Sequence, residues 1–108
     1  MGWMLSNRLR QAAAPGSPDG QILVFWCPGC DGAHAIHVEK PNHLGARWAW
    51  NQDPVRPTFT PSINCWPNSD AHRCHSFVTD GRIQFLSDCG HAMKGQTVEL
   101  PDWPLSKD

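Results

Sequence analysis

Ile22-Leu-Val-Phe-Trp-Cys-Pro-Gly-Cys30 is the stretch on which the fold turns. Its first five residues are a continuous apolar run, rich in β-branched and aromatic side chains and short enough for a strand. The last four form a Cys-x-x-Cys knuckle, whose glycine permits the tight turn that brings two thiolates to one side of a metal ion. A redox Cys-x-x-Cys normally opens a helix in a βαβ setting. Here Asp31-Gly32 follows, and then another strand-like segment. Cys27 and Cys30 are therefore expected to supply half the ligands of a zinc ion at a strand end.

Downstream, residues 35–39 alternate, with Ile36 and Val38 on one side, and residues 47–50 place Trp48 and Trp50 on one face. Residues 51–61 carry three prolines and suit a connection rather than a central strand. Residues 62–66, 75–79, 82–86 and 97–100 read as further short strands, and 67–71 as a turn. Asp80-Gly81 is a strong two-residue hairpin signal. Upstream, residues 1–14 read as a short amphipathic helix with Leu5, Leu9 and Ala12 or Ala13 on one face, stopped by Pro15-Gly16. The expectation is a mostly β, antiparallel domain over residues 21–108, stapled by structural zinc, with an N-terminal helix and linker over residues 1–20.

Composition bounds the function classes. The chain has 108 residues, 40% hydrophobic and 18% charged, which suits one loop-rich globular domain small enough to profit from a metal staple. The formal net charge is −1 and no Lys/Arg run exists, so the basic face that nucleic-acid binding needs is not advertised. No apolar run is long enough to cross a bilayer, and the N-terminus lacks signal-peptide features. The expected place is a reducing cytoplasm, or a virion if the chain is a particle component. Five cysteines there favour metal binding over disulfides.

The remaining ligands must come from the C-terminal half. Cys74 and His75 are adjacent, so in a strand they point to opposite faces and are not expected to share an ion. Cys89-Gly90-His91 is a glycine-centred loop able to present either of its outer residues. The preferred set is Cys27, Cys30 and Cys74 with one of Cys89 or His91. Cys65 reads as a buried thiol. His34, His37 and His43 read as surface or strand histidines, with His34 a possible substitute ligand. A catalytic metal would need an open position and a nearby base, and no His-Glu-type motif is present.

Ser62, after Pro61, and His75, opening His-Ser-Phe-Val, sit on segments that can lie side by side, so a base could activate a hydroxyl. Spacing alone makes this a weak signal. Residues 25–103 also resemble a family of small phage and prophage proteins, through Phe25-Trp-Cys-Pro-Gly-Cys30, Arg56-Pro-Thr-Phe-Thr-Pro-Ser-Ile63, Cys74-His-Ser-Phe-Val78, Gly81-Arg-Ile-Gln-Phe-Leu86 and Asp88-Cys-Gly-His91. Such proteins are often labelled "ammonia monooxygenase", a membrane copper enzyme whose properties do not fit a chain with a thiolate-rich site and no bilayer span.

That family is in turn similar to a broader domain family, some members of which sit in bacterial ubiquitin-like conjugation operons and are considered peptidases. The resemblance implies Ser62 as nucleophile and His75 as its base, acting on a peptide or ubiquitin-like tail. A third member is left open among Asp88, Asp70 and Asp80, and backbone N–H groups near Ile63 are expected to form an oxyanion hole. The alternative is a non-catalytic phage accessory protein, for anti-defence or particle assembly. It would use zinc only structurally and bind a protein or peptide partner through Trp3, Trp103 and the N-terminal helix.

Overall fold

The computed structural model describes residues 3–66 and 68–104. Residues 1–2 of the expected helix, Pro67 of the expected turn, and residues 105–108 lie outside them. The described chain is all β, in nine strands: β1 Trp3–Met4, β2 Leu9–Ala13, β3 Ile22–Cys27, β4 Gly32–His37, β5 Ala49–Trp50, β6 Phe59–Cys65, β7 Cys74–Thr79, β8 Arg82–Phe85 and β9 Thr97–Glu99. They form two antiparallel sheets, ordered β1-β2-β3-β4 and β5-β6-β7-β8-β9. Among the described residues no helix is long and apolar enough to cross a membrane.

The N-terminal helix expected from the sequence is not found among the described residues: from Trp3 on they form β1, a turn, and β2. The physical reason is tertiary. The apolar strand β3 has two edges to satisfy, and β2 supplies one of them, with Leu9 opposite Phe25 and Gln11 opposite Leu23. In that pairing Leu9 and Gln11 are buried while Arg10 is not, a period of two that overrides the modest helix propensity of the Ala-rich run. Buried Gln11 is satisfied by a 2.7 Å hydrogen bond from Gln21 Nε2. At the turn, Ser6 Oγ accepts from the N–H groups of Arg8 and Leu9, and its hydroxyl donates to Pro54 O.

Inward-facing residues of both sheets make one core. Leu9, Leu23, Phe25 and Ile36 come from the first sheet, and Phe59, Ile63, Val78, Ile83 and Phe85 from the second. Phe25 and Phe59 stack across it at 6.3 Å between ring centroids. The β7–β8 turn is the two-residue hairpin the sequence advertises, with Thr79 opposite Arg82 and positive φ at both Asp80 and Gly81. Pro61, unsuited to a regular ladder, sits in a bulge: three residues lie between Phe59 and Ile63, against one between their partners Val78 and Ser76.

The expected exposure of Trp103 is not what is found. It packs edge-on against Trp26, carries the Arg10 guanidinium 4.9 Å over its ring, and donates its N–H to Asn7 O, pinning the end of the described chain to the first sheet. Trp3 is 48% exposed, in keeping with the expectation.

Candidate active site and metal centre

Two clusters of reactive side chains lie on opposite faces of β7, and strand alternation separates them. Along β7, Cys74, Ser76 and Val78 are buried while His75 and Phe77 point outward. Cys74 and His75 therefore serve opposite faces.

On the outer face, Ser62 Oγ lies 3.0 Å from His75 Nε2, and His75 Nδ1 lies 3.1 Å from Asp88 Oδ2. The carboxylate holds the ring proton on Nδ1, which leaves Nε2 free to accept from the Ser62 hydroxyl. The pair approaches diagonally: Asn64 is directly opposite His75, and Ser62 is two residues along on the same face. Asp88 arrives from the loop after β8 and fills the third position. Asp80 is instead gripped by Arg56 through both carboxylate oxygens, and Asp70 pairs with Arg73.

Cys89, next to Asp88, fastens the same histidine from behind. Its Sγ accepts the His75 N–H at 3.3 Å and donates to His75 O at 3.1 Å, while the Leu86 N–H reaches the same carbonyl at 2.9 Å. The main-chain groups of His75 are thus turned toward β8, which makes Asn64–His75 a non-hydrogen-bonded pair and Ile63–Ser76 a bonded one. Of the backbone N–H groups near Ile63 expected to form an oxyanion hole, that of Ile63 itself faces the ladder with Ser76.

On the inner face, Cys27, Cys30, His34 and Cys74 bring one ligand atom each to within 4.8 Å of one another, and Cys27 and Cys74 are free thiols rather than a disulfide. These four form a possible metal-binding site. Tetrahedral geometry with metal–sulfur bonds of about 2.3 Å sets sulfurs about 3.8 Å apart. Cys27 Sγ and Cys74 Sγ are 3.8 Å apart. The Cys30 N–H donates to Cys27 Sγ at 3.4 Å, as the knuckle turn requires. His34 Nε2 is buried with no hydrogen-bond partner, while its Nδ1 meets Cys65 Sγ at 3.1 Å. An orphaned imidazole nitrogen among three sulfurs fits a ligand, with Cys65 fixing the ring from the other side.

His34, a strand histidine that the sequence offered as a substitute ligand, is the fourth member of this cluster and is 6% exposed. The signal was available: Ile36 and Val38 share an inner face, and stepping back two more residues along the strand reaches His34. Cys74, Cys89 and His91, the ligands the sequence reading preferred beside the knuckle, also bring one ligand atom each to within 4.8 Å of one another, so Cys74 is shared between two groups able to hold a metal. The His91 ring lies against Gly29 and edge-on to Phe85, so any side chain at Gly29 would collide with it.

The electrostatics of the cluster follow from crowding sulfurs around one histidine. The hydrogen bond from Cys74 lowers the Cys27 thiol against the opposing pull of burial, and raises Cys74 in turn, helped there by burial. Burial presses the His34 pKa down, but Cys27, Cys30 and Cys65 outweigh it and raise it to about 12. Without a metal the charges pair as thiolate and imidazolium.

A family described as "Bacterial ubiquitination-like system serine protease (BubE)" has a sequence model that matches residues 5–86. The chain belongs to that family. The BubE match takes in Ser62, His75 and all four residues of the inner-face cluster, and ends two residues before Asp88. No curated protein and no solved structure matches the chain.

Near Ser62, a cleft of about 670 Å³ opens between β4 and the stretch of β6 beyond its pairing with β5. Ala33 and Ala35 line one side, Ile63 and Asn64 the other, and Trp48 and Leu44 close it. Trp48 Nε1 donates to Ser62 O at 3.2 Å, tying the cleft wall to the serine.

Proposed function

We propose that this BubE-family chain is a zinc-stapled serine peptidase that cuts a peptide bond in an extended tail, such as that of a ubiquitin-like protein. The single observation behind this reading is the unbroken Ser62–His75–Asp88 relay, with both hydrogen bonds near 3 Å. As Ser62 Oγ bonds to the scissile carbonyl carbon, its proton passes to His75 Nε2. The C–N bond then breaks and Nε2 returns that proton to the departing amine. Water repeats the sequence in reverse order and releases the acyl group from Ser62. Asp88 keeps the imidazole in the required tautomer and stabilises it once it is protonated. The stretch of β6 after Ser62, beyond its pairing with β5, favours an extended segment as occupant of the cleft.

Three thiolates and an imidazole suit zinc, and four protein ligands leave no position for substrate, so the ion's part is to hold the sheets together. Binding must displace the protons kept on Cys74 and His34, both of whose pKa values are raised. The sign follows: affinity rises with pH and is lost as pH falls. An expected loss on the order of tenfold or more per pH unit below neutrality is checked by competition titrations with a zinc indicator from pH 7.5 to 6.

The proposal is tested with a fluorophosphonate probe. Ser62 is expected to be labelled, and His75→Ala to abolish labelling while zinc content stays at one ion per chain. Folded, zinc-loaded protein in which Ser62 stays unlabelled would contradict it. Cys89→Ala separates clasp from ligand: the probe reaction should slow by about tenfold as His75 loses its rear contacts, with zinc content unchanged. Loss of zinc in that variant would return Cys89 to the ligand set.

A further inference from the structure

Acyl transfer leaves negative charge on the former carbonyl oxygen, and a serine hydrolase needs a donor aimed at it. The Ile63 N–H, next to the nucleophile in sequence, is turned into the ladder with Ser76. We infer that the donor is the side-chain amide of Asn64, an inference that rests on the serine peptidase reading. Four observations converge on it. Asn64 stands in the non-hydrogen-bonded pair with His75, where side chains approach most closely, at about 4.5 Å between Cα atoms. It lies two residues from Ser62 on the same face, about 6.6 Å along the strand, within reach of an atom bonded to Ser62 Oγ.

Its carboxamide is exposed and makes no hydrogen bond to any described residue, so Nδ2 is available. The same residue lines the rim of the β4–β6 cleft, where a carbonyl delivered to Ser62 would arrive. Asn64 therefore touches the reacting group, whereas Cys89 and Asp88 act through His75. The amide donates to the oxyanion as it forms and releases it when the carbonyl is restored.

The experiment compares wild type, Asn64→Ala and Asn64→Asp for p-nitrophenyl acetate hydrolysis and for the rate of Ser62 labelling by the fluorophosphonate. Loss of one such donor costs roughly 10²–10³ in kcat. Asn64→Ala is expected to lower kcat in that range with KM and the midpoint of the pH profile unchanged, and to slow labelling in parallel. Asn64→Asp, similar in size but without a donor, should be no better than alanine. An unlabelled wild type sinks the peptidase reading and this inference with it. A labelled wild type with Asn64→Ala reacting within about threefold of it overturns the inference alone. So does an effect confined to KM, a moved pH midpoint, or full activity in Asn64→Asp.

Discussion

Cys27→Ser is expected to abolish stoichiometric zinc and, with it, the cooperative melt of the protein. Structural zinc contributes an apparent ~10–16 kcal/mol in small domains, as much as or more than the ~5–15 kcal/mol by which a typical domain is stable at all. The site joins elements far apart in the chain: Cys27 and Cys30 flank the β3–β4 turn, His34 lies on β4, and Cys74 begins β7 in the other sheet. Without the ion, the inner face holds a thiolate, an imidazolium and a protonated thiol beside the Phe25–Phe59 contact, an unfavourable set to bury. A strong chelator should act as the substitution does. Calorimetry with metal analysis checks both, and a melt indifferent to chelation would remove zinc from the account.

Asp88→Asn is expected to lower kcat by about 10²–10⁴ with zinc and melting temperature nearly unchanged. A carboxylate that fixes a catalytic histidine's tautomer is worth about 10⁴ where it is buried. Asp88 is 45% exposed, so water can partly replace it and the loss should fall below that ceiling. Asp80→Asn and Asp70→Asn are the controls, because Arg56 and Arg73 already occupy those carboxylates. Hydrolysis of p-nitrophenyl acetate by the three variants decides it: equal rates would detach Asp88 from the relay.

Much of this was legible because strands expose their pattern locally. The apolar run at Ile22, the Asp80-Gly81 turn and the opposite facing of Cys74 and His75 all follow from a two-residue period and turn chemistry. The N-terminal segment misled because helix propensity is local, whereas the vacancy beside β3 that Leu9 and Gln11 fill exists only after the sheet forms. Asp88 was one of three equal candidates because its loop is positioned by contacts such as Cys89 with the His75 main chain, which no spacing announces. His34 was readable from the same two-residue period and stood only as a substitute ligand behind the Cys89-Gly90-His91 loop.

The placement on opposite faces of β7 also limits how such a chain can diverge. Removing one residue from the middle of β7 would exchange front and back, swinging the imidazole into the sulfur nest and a thiol into the catalytic position. One mutational step would break up both clusters, so insertions and deletions that preserve them come in pairs. The bulge before Ile63 obeys that arithmetic: its two additional residues leave Phe59 and Ile63 both facing the core.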